Sequence, residues 1–76
     1  MAIGRVVDGN ISKLSIGDSY VSLAIGKDDT WFKVSRSNEN YTAYASAILL
    51  AAANNFAVNV AVGENSVFIE NVVVHC

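Results

Sequence analysis

The segment from Tyr41 to Asn54 contains not one charged side chain. Within it Tyr41, Tyr44, Ala45, Ile48, Leu49 and Ala52 recur at i, i+3, i+4, i+7, i+8 and i+11, one continuous helical stripe. Alanine and leucine, which fill most of it, are good helix formers. Asn38 or Asn40 can cap the start, and Asn54-Asn55 can end it, because asparagine tolerates the left-handed conformation after a helix. Opposite the stripe stand Thr42, Ala43, Ser46, Ala47, Leu50, Ala51 and Ala53. A helix on a monomer's surface normally carries Lys and Glu there. A small domain covers one face of a helix, so the other face is expected to meet other subunits. Ala43, Ala47, Leu50 and Ala51 are the candidate interface residues, and the alanines would let helices approach closely.

The rest of the chain alternates as strands do. Ile3 to Ser12 reads as a first strand, interrupted by Asp8-Gly9-Asn10, which are turn or bulge residues by type. Leu14 and Ile16 resume the apolar pattern before Gly17-Asp18. Tyr20 to Ile25 sets Val21, Leu23 and Ile25 against Tyr20, Ser22 and Ala24. Gly26-Lys27-Asp28-Asp29 reads as a hairpin turn, and Trp31 to Ser35 follows, with Phe32 and Val34 on one face. After the helix, Phe56, Val58, Val60 and Val62 share a face. The last strand, Val67 to Val74, slips phase between Ile69 and Val72, which predicts a bulge near Glu70-Asn71. Three strands, a helix and two strands form the element order of an OB-fold, a five-stranded barrel with its helix between the third and fourth strands. The expected organisation is therefore a single OB-fold domain over residues 1–76.

At 76 residues such a domain is marginal alone, and disulfides, metals or oligomerisation usually support it. One cysteine, Cys76, closes no intrachain bridge. One histidine, His75, makes no metal cage with it, so no metal is expected. Charged residues are 16% and hydrophobic residues 53%, too little charge to cover a monomer, yet no apolar run approaches a membrane span. Assembly with copies of itself is the support that remains. The net charge is −2, and Arg5, Lys13, Lys27, Lys33 and Arg36 are scattered, which weighs against nucleic acid as the main partner.

No catalytic constellation stands out, and no cofactor is expected. His75 and Cys76 are neighbours on a strand and point to opposite faces, so they do not form a nucleophile and base. Asp28-Asp29 reads as a solvated hairpin rather than half a cation site. Trp31, with Tyr20, Tyr41 or Phe32, is either an aromatic platform for a base or sugar ring or a packing residue. The remaining candidate is Asp8-Gly9-Asn10-Ile11-Ser12. This segment, early in the first strand, resembles the Asp-Gly-x-apolar-Ser segment of the subtilase cytotoxin B subunit family. The order of elements and the long helix followed by a β-hairpin are similar too. More broadly the chain is similar to the pentameric B subunits of bacterial A-plus-pentamer toxins.

That resemblance implies a secreted homopentamer that binds host cell-surface glycans of the sialic-acid type and delivers a catalytic A subunit. No signal-peptide pattern stands at the start of the chain. In the resemblance Ser12 hydrogen-bonds a sugar carboxylate and Asp8 supports the pocket; Gly9, which permits backbone approach to a ligand, and Asn10 are the further candidates for the glycan site. Two departures stand out. Ala61-Val62-Gly63 carries no aromatic where those relatives shape the sugar site, and the single cysteine cannot supply their disulfide. A single-stranded nucleic-acid-binding OB module and a ligand-free assembly subunit are the rival classes. A steep salt dependence of oligonucleotide binding marks the first, and a flat glycan array marks the second.

Overall fold

The computed structural model describes residues 4–76, so Met1, Ala2 and Ile3, the expected start of the first strand, lie outside the described residues. The elements are β1 (Arg5–Ile16), β2 (Tyr20–Ile25), β3 (Phe32–Ser35), α1 (Tyr41–Asn54), β4 (Ala57–Val62) and β5 (Ile69–His75). Their order is the expected one. They build a mostly β fold with one helix and a five-stranded antiparallel sheet in the order β3-β2-β1-β4-β5. The sheet is open. Among the described residues its two ends meet at a parallel bridge between Lys33 and Phe68, where the Lys33 amide donates to the Val67 carbonyl at 2.8 Å.

The central strand does not break where glycine and its polar neighbours predict. Asp8, Gly9 and Asn10 stay in register against Asn59, Val58 and Ala57 of β4. Gly9 holds φ +149°, a conformation side-chained residues rarely adopt, and a Cβ there would lie 3.0 Å from Ile25 Cγ2. The extra residue falls later. Ile11 pairs with Ile25 and Lys13 with Ala24, leaving Ser12 as the bulge. β1 is thus one long strand whose first half pairs with β4 and whose second half pairs with β2.

The phase slip of the last strand is resolved as its pattern predicts. Ala61 pairs with Asn71 and Val62 with Ile69, so Glu70 is the extra residue of β5. That single insertion lets Ile69 reach the core while Val72 and Val74 still pack against it. The Tyr44 hydroxyl donates to the Glu70 carbonyl at 2.9 Å, tying α1 to the bulge.

α1 starts at Asn40, whose side chain makes no capping bond; the Asn38 carboxamide instead accepts the Asn40 amide at 2.8 Å. It ends at Asn55, left-handed at φ 56°. Its core face is Ala45, Ile48 and Ala51. Two residues therefore sit differently from the helical-wheel reading. Ala51 is fully buried in the core, not on the outer face, and Leu49 is turned out to solvent. The buried stripe runs through Ala45, Ile48 and Ala51 rather than to Leu49, so the face turned to the sheet is rotated slightly from the apolar stripe of the wheel. Ala43, Ala47 and Leu50 remain at least partly accessible, with Leu50 52% exposed. Val21, Leu23, Ile25, Phe32, Val34, Val58, Val60, Val62 and Ile69 complete the core; Ala24, placed on the outer face by alternation, is also buried. No helix of the described residues is long and apolar enough to cross a membrane.

Two substitutions test this account. Ile48→Ala, which empties the centre of the core, is expected to cost about 2–5 kcal/mol. Gly9→Ala is expected to cost roughly 1–3 kcal/mol through backbone strain and contact with Ile25. Urea denaturation measures both. A Gly9→Ala protein as stable as the parent would show that β1 does not depend on this conformation.

Candidate functional site

Along the first half of β1, alternation turns Val7, Gly9 and Ile11 toward the core and Asp8 and Asn10 outward. Ser12 is exposed at the bulge. The structure therefore places a carboxylate, a carboxamide and a hydroxyl along one accessible stretch of strand. Each also has a partner within the chain. Asp8 Oδ1 lies 3.9 Å from Nε2 of His75, across the β4–β5 surface. Asn10 Nδ2 donates to the Asn55 carbonyl at 3.0 Å and approaches Asn55 Oδ1 at 3.4 Å. Ser12 Oγ donates to the Ala24 carbonyl at 3.2 Å, satisfying an acceptor that the bulge leaves beside it.

These partners refine the chemistry expected of the segment. The Ser12 proton is already engaged, so its hydroxyl is set to accept rather than donate unless the Ala24 bond opens. Asn10 acts first as a brace between β1 and the left-handed residue that ends α1. Asp8 is the group with most acceptor capacity still facing solvent, its side chain 60% exposed. Gly9 faces inward over Ile25 and serves the strand's bend rather than a ligand's approach.

A second constellation forms on the other half of the sheet. Ser15 pairs with Ser22 across the β1–β2 hairpin, and Ser22 pairs with Lys33 across β2–β3. With Trp31, just before β3, these residues line a shallow, solvent-open cavity of about 250 Å³. Trp31 is 37% exposed. Its expected aromatic companions divide. Phe32 is buried in the core, and the Tyr41 ring lies under the Arg36 guanidinium at 5.6 Å. Tyr20 does stand near the cavity, its ring 5.3 Å from the Lys33 ammonium and 5.7 Å from the ring of Phe68. Ser15, Ser22 and Lys33 were not singled out by residue type. The signal is the register of the two hairpins, which fixes which residues face each other once the turns are placed.

The loop leading to Trp31 is shaped by Asp28, whose carboxylate accepts the Thr30 amide at 2.9 Å. That bond holds the Asp28 pKa below the ordinary value of 3.8. Among the described residues no group of three or more His, Cys, Asp or Glu side chains is placed to hold a metal ion. Cys76 is free and exposed. Comparison of the chain with protein-family models, curated proteins and solved structures finds no match.

The Asp28 bond has a pH signature. A depressed folded-state pKa contributes stability above the unfolded value and loses it as pH falls through the folded one. The Thr30 amide resonance is therefore expected to titrate with a midpoint below 3.8, and Asp28→Asn to abolish that titration. A midpoint at or above 3.8 in the NMR titration would contradict the bond.

Proposed function

We propose that this chain is a carbohydrate-binding subunit of a homo-oligomeric ring, built on an OB-fold whose barrel is drawn together at the Lys33–Phe68 bridge. The observation that carries the reading is the outward row of Asp8, Asn10 and Ser12 on a bent strand. A carboxylate, a carboxamide and a hydroxyl are the groups that hydrogen-bond sugar hydroxyls. The row coincides with the segment that resembles the subtilase cytotoxin B subunits, which supports a cell-surface glycan as the ligand and a separate catalytic A subunit as a further partner. Sheet order supports the OB-fold: β1 between β2 and β4, with β3 and β5 meeting in parallel.

Assembly is supported by the surface. α1 presents Leu49 and Leu50 to solvent with no charge beside them on the helix, and Val6, Ile16, Phe68 and Val73 are also exposed. On 76 residues this much exposed apolar area favours burial between copies. Ala43, Ala47 and Leu50 are the helix positions proposed to meet a neighbour; Ala51, already in the core, supports the helix from behind.

Native mass spectrometry is expected to show one discrete oligomer, about 40 kDa for five chains of 8.1 kDa. A dominant single-chain species would overturn the ring. Ala47→Glu is expected to weaken it, because an unpaired charge buried at an interface costs several kcal/mol.

On a glycan array the oligomer is expected to bind a defined set of sugars. Ser12→Ala is expected to lower affinity per site by about tenfold, amplified on a surface by multivalency, with the assembly retained. Unchanged array binding by Ser12→Ala and Asp8→Ala would remove the β1 row as the site.

A further inference from the structure

The cavity between Ser15, Ser22, Trp31 and Lys33 is lined by different residues from the β1 row and by different chemistry. We propose that it is a second, independent ligand site, and that it takes an anionic pyranose, a single sugar ring bearing a carboxylate or sulfate.

Each wall contributes one part of that specificity. Trp31 leaves 37% of its surface exposed at the cavity, although an indole gains from burial. The apolar C–H face of a pyranose would cover it while keeping the sugar's hydroxyls at the rim. Lys33 provides the charge. Its ammonium is held 5.3 Å over the Tyr20 ring, and among the described residues it has no carboxylate partner within ion-pair distance. Lys13, further along β1, is by contrast 3.9 Å from Asp29. The hydroxyls of Ser15 and Ser22 stand side by side, with no side-chain hydrogen bond among the described residues. Each can donate once and accept twice.

Competing ligands fit this set less well. A purely apolar molecule would cover one ammonium and two hydroxyls without replacing their water, which is unfavourable. A neutral sugar leaves Lys33 uncompensated. A nucleic-acid strand asks for a track of basic residues beside the stacking ring, and Lys33 is the one basic residue lining the cavity. The single indole face and the single ammonium in the lining match one charged ring.

The chain contains one tryptophan, so emission excited at the red edge of the indole band, beyond tyrosine absorption, reports on Trp31 at this cavity. The oligomer is titrated with methyl β-glucuronide, methyl β-glucoside and an oligothymidylate. The expected result is a saturable emission change with the glucuronide, at least about tenfold tighter than with the glucoside, as one charge-assisted contact implies. Lys33→Met, checked for folding by circular dichroism, is expected to erase the difference between the two sugars. Ser12→Ala is expected to leave the titration unchanged, which separates this site from the β1 row. Four outcomes would overturn the proposal. They are no saturable change with the glucuronide at tens of millimolar, equal affinity for the two sugars, tighter and steeply salt-dependent binding of the oligothymidylate, or an emission shift that follows protein concentration alone. The last would mean that a second copy covers Trp31.

Discussion

Everything in this fold hangs on one strand pairing with two partners in succession. β1 gives its first half to β4 and its second half to β2. The Asn10 carbonyl, at the changeover, accepts the Gly26 amide at 2.8 Å while Asn10 is still in register with Ala57. A straight strand cannot follow two sheet directions. The bend comes from a glycine in a conformation closed to other residues and from an unpaired serine three positions on. Sheet twist, core closure over Ile25 and the display of Asp8, Asn10 and Ser12 are all consequences of that crossing.

The helix solves the complementary problem. It inserts Ala45, Ile48 and Ala51 into the sheet and leaves the rest of its length without charge. Burying it costs little polar desolvation, since its hydroxyls sit at the margins and the Tyr44 hydroxyl finds the carbonyl of Glu70. The Asn10–Asn55 contact fastens the helix's far end to the bend of β1. The helix is therefore tied to β5 through Tyr44 and to the central strand at its far end, and the proposed glycan row shares Asn10 with the second tie. Asn10 holds the scaffold together and faces the surface at the same time.

Local pattern carried much of this into view. The helix bounds, the element order and the bulge near Glu70 follow from periodicity, because each depends on near neighbours in sequence. The burial of Val58, Val60 and Val62 follows from alternation in the same way. What stayed hidden depended on tertiary pairing. Asp8-Gly9-Asn10 has the composition of a turn, and only the partner strand β4 makes it mid-strand. Ala51 and Leu49 differ by a modest rotation of the helix, which the packing direction of the sheet decides. Ser12 could be marked by motif but not its bond to Ala24, and the cavity at Trp31 needed two hairpin registers taken together.

The topology also sets the order in which the molecule can be made. β1, β2 and β3 are joined by short hairpins, so their contacts close small loops at low entropic cost. β4 must return to β1 from beyond the helix, bringing Val62 beside Arg5. That pairing raises the contact order, and proteins dominated by such distant pairings fold more slowly than those built from local contacts. Until it forms, the meander of three strands exposes Leu23, Phe32 and Val34 with nothing laid over them. The interval before β4 docks is when one chain's vacant β1 edge is open to the wrong β4, that of a neighbouring chain, so the same central strand that organises the native subunit is also its point of exposure to domain-swapped misassembly.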